Sequence, residues 1–328
     1  MVNIWISMKR KRYNDLNSHL RSIFGERVQK LTVDAGFSCP NRDGSLSYGG
    51  CIYCSEKGSG TGAHALGLSI KEQIERSKPG LIRRYKSTKF MVYFQSFSNT
   101  YAPLATLKSV YDEALSFDDV VALSIGTRPD CVAPPVLDLL GEYAKKRLIW
   151  VEYGLQSVHD TTLATINRGH DFACFKEAVR QTRDRGIRAC AHIILGLPGE
   201  TRDMMLESAG VLSDLGVDGV KIHLLYVVKG TVLAAMYKNR EFRCLEREEY
   251  AELVCDYLER LDPSMVIHRI TGDPHPDELV APLWPLKKTD TTNLIHRLLE
   301  ERNSFQGRLF QTSPSSLLSV PFDQPECL

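Results

Sequence analysis

The stretch "LIWVEYGLQS", Leu148 to Ser157, carries a strand's composition, with Ile149, Trp150, Val151 and Tyr153 together and no Pro or Asp to interrupt them. Successive side chains of a strand point to opposite faces, so Ile149, Val151, Tyr153 and Leu155 share one side and Trp150, Glu152, Gly154 and Gln156 the other. One face is uniformly apolar and the other is mixed. Elsewhere the same split returns. Val121, Leu123 and Ile125 oppose Ser124, Gly126 and Arg128; Ala189, Ala191, Ile193 and Leu195 oppose Cys190, His192 and Ile194. Val220, Ile222 and Leu224 oppose Lys221, His223 and Leu225, while earlier strands offer Thr32 with Asp34 and Tyr93 with Gln95. If helices cover the apolar face, the interior is far more polar than the Val, Ile and Leu layers that ordinarily fill a barrel. Polar groups buried without partners cost ~1–3 kcal/mol each, so such an interior is expected to surround something polar. For any one strand the alternative is the solvent face of an open sheet.

Working outward, strands are expected at "VQKLTVDAG" from 28, "KFMVYFQS" from 89, "VVALSIGTRPD" from 120, "IRACAHIILG" from 187 and "VDGVKIHLLYVV" from 217. Helix-period segments alternate with them: "SIKEQIERSKPGLIRRY", "PLATLKSVYDEALS", "PPVLDLLGEYAKK", "DFACFKEAVRQTRDRG" and "TRDMMLESAGVLSDLG". Right-handed βα units of this kind make a parallel sheet, open or curled, and the reading here is an α/β fold, a partial TIM-like (β/α)6 barrel with a C-terminal helical and strand extension. Four regions follow: a basic segment over 1–27, the barrel over 28–228, an extension over 229–310 that covers it, and a Ser/Pro-rich tail over 311–328 that reads as disordered. The extension holds a candidate seventh strand, "MVIHRITG" from 265, and helices near Arg247–Leu261 and Thr291–Asn303.

With 41 basic against 40 acidic side chains, net charge names no partner. The opening "MVNIWISMKRKRY" puts its apolar run before its basic cluster, the reverse of a secretory signal, and no segment approaches the ~18 apolar residues of a membrane span. A cytoplasmic protein without a membrane partner is expected. In that compartment nine cysteines suggest metal or redox chemistry rather than disulfides.

Three of the nine, Cys39, Cys51 and Cys54, follow the first strand at its carboxyl end, where such folds place their sites. Their spacing suits a zinc completed by His64, or a 4Fe-4S cluster with one iron left open. Zinc modules usually pair their ligands in two short-gap dyads, and only Cys51 and Cys54 form one here. The remaining cysteines are scattered, so no second cluster is expected.

These cysteines, with Tyr53 just before the third, together with "GTRPD" at 126, "VEYGLQS" at 151, "INRGH" at 166, "HIILGLPGET" at 192 and "VKIHLLYVVKGT" at 220, resemble the radical S-adenosylmethionine (SAM) enzymes, in the YhcC/YtqA-type subgroup related to the elongator catalytic subunit. The resemblance implies one 4Fe-4S cluster on Cys39, Cys51 and Cys54 and SAM chelated at the open iron. An electron donor such as flavodoxin or ferredoxin would then trigger formation of a 5'-deoxyadenosyl radical that abstracts hydrogen. It also implies roles for particular residues. Gln156 would meet the ribose hydroxyls, Arg168 the methionine carboxylate, and His192 the ribose again; Ile194 through Pro198, Gly196 included, would wall the adenine. Related subgroups carry a glutamate where Gly126 stands, which leaves an ammonium contact to Gln95 or Glu152. Read alone, Arg168 is equally a cation at a helix C-terminus and His192 a satisfied core histidine.

Arg128, Asp130, Cys131, Lys221 and His223 are left over, and they are expected to face the substrate; Arg128 and Lys221 suggest an anionic one. Cys131 could donate hydrogen or be a buried structural thiol. Basic side chains before residue 31 (Lys9, Arg10, Lys11, Arg12, Arg21, Arg27 and Lys30) and "RRYKSTK" from 83 suit a phosphate backbone or a solvated face. The expected function is modification of a transfer RNA wobble uridine. A small anionic metabolite and a zinc-stabilised RNA-binding module without catalysis are the alternatives. No acetyltransferase domain follows the barrel, so acetyl transfer is not expected.

Overall fold

The computed structural model describes residues 11–55, 58 and 62–311. Six parallel strands run β1 (Val28–Val33), β2 (Lys89–Phe94), β3 (Val120–Thr127), β4 (Leu148–Gln156), β5 (Arg188–Leu195) and β6 (Gly219–Leu224), adjacent in that order. After β7 (Val227–Val228), the strand β8 (Val266–Arg269) joins β6 in parallel and makes the sheet seven-stranded; β9 (Leu279–Ala281) pairs antiparallel with β7. The extension thus lengthens the sheet through β8. The expected tail, apart from residue 311, and Lys9 and Arg10 lie outside the described residues.

Helices α1 (Leu16–Phe24), α2 (Ile70–Tyr85), α3 (Leu104–Leu115), α4 (Pro134–Ala144), α5 (Asp160–Thr165), α6 (Phe172–Arg183), α7 (Arg202–Asp214), α8 (Val232–Lys238), α9 (Arg247–Arg260) and α10 (Lys288–Glu301) follow from local signals. Ser69 and Glu72 form a capping box on α2, and Asp171 and Thr201 accept N-terminal amides of α6 and α7. Val33, Phe94, Leu123, Val151, Ile193 and Ile222 turn from the strands toward this outer layer and fill the main core. Among the described residues no helix is long and apolar enough to cross a membrane.

The inner face is layered. Val28, Met91, Ala122, Trp150, Cys190 and Val266 form an apolar floor, and Leu20 of α1 joins them. The next inward residues are Lys30, Tyr93, Ser124, Glu152, His192, Lys221 and His268, a polar storey joined by hydrogen bonds and ion pairs. β1 and β8 are the two edges, and α1 packs against both. Its entry is tied to β8 by the Ile267 amide donating to the Asn14 carbonyl at 2.8 Å.

The described part of the basic N-terminal segment, residues 11–27, is therefore a structural plug. Asp15 caps α1 by accepting from the Ser18 amide at 3.1 Å, and Gly25 ends it at φ 74°, a left-handed value that favours glycine. Lys11 pairs with Asp15, Arg12 with Asn303, Arg27 lies over the Tyr85 ring, and Lys30 points into the barrel.

Candidate active site

Above the Trp150 floor the inner face opens into a cavity of about 620 Å³, within the range of small-molecule sites. The loop after β1 supplies one wall, with Cys39, Cys51 and Cys54; Arg269 of β8 and residues 273–276 supply the opposite rim.

All three thiols border this cavity and are free. Arg168 donates from Nη1 to Cys51 Sγ at 3.3 Å, Asn41 from Nδ2 to the same sulfur at 3.6 Å, and Arg42 from Nη1 to Cys54 Sγ at 3.6 Å. The Cys51 thiol is shifted toward thiolate: burial opposes this, and the Arg168 guanidinium outweighs it. Burial, then Cys51, push Cys54 the other way. The Tyr53 hydroxyl is buried beside Cys51 with no geometric hydrogen-bond partner. Among the described residues no three His, Cys, Asp or Glu side chains converge as a single metal ion would require. His64, the zinc alternative's fourth ligand, packs on Gly36, whose added Cβ would lie 2.2 Å from the imidazole. A cluster of several irons takes its thiolates at separate corners, so three sulfurs spread along one wall, each sulfur of the Cys51 and Cys54 pair facing a donor, fit it.

At the centre of the polar storey is Glu152, whose side chain is 0% exposed. Its Oε2 accepts from Lys221 Nζ at 2.8 Å and from His192 Nε2 at 2.7 Å. Its Oε1 accepts from Lys30 Nζ at 2.9 Å, from His268 Nδ1 at 3.3 Å and from the Ser124 hydroxyl. Burial would raise its pKa, but Lys221 and Lys30, with the two imidazoles, hold it well below the usual carboxylate range. Lys221 is pulled down to about 8, mainly by burial with Glu152 opposing, and Tyr93 accepts its second bond at 2.8 Å. Burial pushes His192 down to about 3 and His268 down to about 4, so both imidazoles are neutral donors.

This geometry corrects several expectations. Glu152 has no free lone pair for a ligand ammonium; it organises the storey. Lys221 lines the cavity with its charge committed to Glu152. Arg128 also lines it, yet is 2% exposed and chelated by Asp130 at 2.8 and 2.7 Å, while its Nη1 holds the Arg168 carbonyl at 2.8 Å. Asp130 and Cys131 do not line the cavity, and burial followed by Asp130 pushes the Cys131 thiol up to about 12, the signature of a structural cysteine. Gly196 and Pro198 are likewise absent from the wall, which Ile194 reaches. β5 ends at Leu195, and Gly196 turns at φ 91° beneath Leu245, 3.1 Å from the position of an added Cβ.

Gln95, Gln156, Arg168, His192 and His223 all line the cavity. Arg168, 6% exposed, donates to the Gly154 carbonyl from Nε at 2.9 Å and Nη2 at 2.5 Å. Glycine at 154 leaves room for both side-chain ends, since an added Cβ would sit 2.7 Å from Arg168 Nη2 and 2.8 Å from Gln156 Nε2 and would displace them. The β4–β5 register shifts between Tyr153 and Gln156, and Gln156 adopts φ 82°, a strained value for a residue with a Cβ. Strand parity places Tyr93 and Ser124 on the inner face without a role, and the inward positions of Lys30, His268 and Arg269 were missed. Strand parity extended back one step from Thr32 and forward along the seventh strand would have found Lys30 and His268.

Family comparison falls on this architecture: residues 39–212 match the Radical SAM superfamily model and residues 217–301 the Radical_SAM C-terminal domain. The chain belongs to the radical SAM superfamily. This radical SAM protein is 45% identical to YtqA of Bacillus subtilis over 301 residues, 92% of this chain and 94% of that one. It is 39% identical to YhcC of Escherichia coli over 275 residues, 84% and 88% of the two chains. A tRNA uridine(34) acetyltransferase of Methanocaldococcus infernus shares 29% over 186 residues, 56% of this chain but 34% of its own length. The fold is that of the truncated archaeal Elp3 from the same organism, at a TM-score of 0.64 and 18% identity over 85% of this chain and 64% of that one. The protein is a radical SAM enzyme whose cofactors are a 4Fe-4S cluster and SAM.

Proposed function

We propose that this enzyme modifies a wobble uridine of transfer RNA, in the cytoplasm, by hydrogen abstraction. The observation that carries the substrate is the similarity of its barrel to a tRNA uridine(34) acetyltransferase. That match covers about a third of the relative, so the nucleoside is carried over and acetyl transfer is not.

Cys39, Cys51 and Cys54 would hold the cluster, and the cavity beside them would take SAM. Bound there, the pair would supply radical chemistry for hydrogen abstraction from the substrate, given an electron from a flavodoxin- or ferredoxin-type donor. The chain's own residues supply placement. Arg168 would offer N–H groups to the methionine carboxylate, as its planar fork allows. Gln156, turned inward by the bulge, would meet the ribose, and Ile194 would give the adenine an apolar wall. Glu152 fixes the Lys221 and His192 donors below, so these groups need no reorganisation when a ligand enters. The rim over 273–276 borders the cavity.

The test is nucleoside mass spectrometry of transfer RNA from a deletion strain, complemented with the wild-type gene and with Cys51→Ala. A wobble-uridine derivative should change on deletion and return only with the wild type. An unchanged uridine profile removes the substrate from the account.

A further inference from the structure

Of the cations around the chamber, Lys30 and Lys221 are neutralised by Glu152 and Arg128 by Asp130, while Arg168 is anchored on the Gly154 carbonyl and Cys51. Arg42 faces Cys54 and the Ser55 carbonyl. Arg269 differs. It lines the cavity from β8, and no described carboxylate lies within ion-pair distance of it. Its Nε is a buried donor without an acceptor. The only polar side-chain contact it makes among the described residues is from Nη2 to the His223 imidazole, 2.5 Å from Nδ1 and 3.1 Å from Nε2, of which a neutral ring can accept on one nitrogen alone.

A guanidinium needs acceptors for its planar fork, and one left partly desolvated beside an empty donor position is costly unless a ligand completes it. The rim acid Asp273 pairs with Lys288 Nζ at 2.8 Å and lies beyond ion-pair distance of Arg269. His223 is held neutral, by burial and then by Arg269 itself, so it takes a bond from Arg269 on one nitrogen and keeps an N–H on the other. That leaves two donors side by side in the cavity wall; Asp273 and Glu278 line the same cavity, yet no described carboxylate lies within ion-pair distance of either donor.

We infer that Arg269 and His223 form an anion subsite that selects substrates bearing a carboxylate or phosphate. The inference rests on the radical SAM reading above and narrows its substrate. It also moves the anion preference from Arg128 and Lys221, whose charges are internally balanced, to a strand that joined the barrel only through the extension. Arg269 acts here as a specificity residue, orienting the acidic group so that a neighbouring carbon faces the reactive end of the chamber.

The subsite can be read without any nucleoside. Phenylglyoxal labelling of the wild-type holoenzyme, mapped by peptide mass spectrometry, should modify Arg269. Inorganic phosphate or acetate should slow that labelling about tenfold, as expected for a charge-assisted contact, with no effect on the exposed Arg180. Failure of both anions to protect Arg269 overturns the inference. Calorimetry then separates the sources, with uridine, 5-carboxyuridine and uridine 5'-monophosphate as probes against wild type, Arg269→Lys and Arg269→Gln. A gain of the carboxylate probe over uridine that vanishes in Arg269→Gln assigns a carboxylate; the same result with the monophosphate assigns a phosphate. A gain that survives Arg269→Gln, with the variant's melting temperature intact, contradicts the subsite. Should the variant not fold, the labelling of the wild type decides. Protection by simple anions with no binding of any uridine probe would uphold the subsite and count against the uridine substrate.

Discussion

Replacing Glu152 by Gln keeps the side chain's volume and removes its charge, leaving the Lys221 and Lys30 ammonium groups without a counter-ion inside the barrel. Breaking a buried pair from one side costs about 3–5 kcal/mol. Lys30 is 25% exposed and recovers part of its hydration, which favours the lower end, about 3 kcal/mol. For a chain of 328 residues that corresponds to roughly 4 °C in melting temperature. The deficit depends on pH with a definite sign. At pH 6 the carboxylate of the wild type is ionised, since its folded pKa lies well below the unfolded value of about 4.3. Its stabilising share is present above that value and fades only as pH falls through the folded one. Lys221 titrates at about 8 in the wild-type fold, and without Glu152 it must titrate lower still. Unfolded lysine keeps its proton to about pH 10.4, so folding gains stability with rising pH once the folded Lys221 has lost its own. The variant enters that regime earlier than the wild type, and the deficit therefore narrows as pH climbs toward 8. Urea unfolding followed by circular dichroism on anaerobically reconstituted protein, at about pH 6 and pH 9, measures both quantities. A deficit below about 1 kcal/mol at pH 6, or one that is flat or grows toward pH 9, would refute the view of Glu152 as the barrel's internal counter-ion.

Two further substitutions separate the ends of the barrel. Trp150→Ala opens a cavity in the floor and should lower stability by about 3–5 kcal/mol, while iron content after reconstitution stays at the wild-type level; a parallel loss of iron would mean that floor and thiol loop are coupled. Gly154→Ala drives a methyl group against Arg168 and Gln156 and should weaken SAM binding about tenfold in equilibrium dialysis, again with iron retained. Unchanged affinity would show that the placement of Arg168 on the Gly154 carbonyl is dispensable.

The fold was legible because a strand's alternation is a local property: Ile149 against Trp150 or Ala191 against His192 can be sorted without knowing any neighbour. Which inward groups neutralise one another was not legible, since Lys30 and Glu152 meet across 122 positions of sequence, at 2.9 Å, only once the sheet curls. Arg128 misled for the opposite reason. Asp130 stands two residues away, on a tight turn whose geometry folds it back onto the guanidinium. Gly196 and Pro198 were assigned to the adenine wall from the family resemblance alone, whereas β5 ends at Leu195 and the chain turns under Leu245. The plug α1 was overlooked although its marks are present, Asp15 at the cap and Leu16, Leu20 and Phe24 at helical spacing; the surrounding basic residues drew the reading toward a binding face instead. Arg269 lies on a strand identified only as a candidate, and its want of a carboxylate is a property of the assembled chamber.

The most direct test is the yield of 5'-deoxyadenosine when the anaerobically reconstituted protein, wild type beside a Cys39→Ala, Cys51→Ala, Cys54→Ala variant, is chemically reduced in the presence of SAM. The wild type should hold about four iron atoms per chain and release the nucleoside, and the triple variant should do neither. A wild type loaded with iron that releases none, or equal release from both proteins, would contradict the assignment of these three thiols.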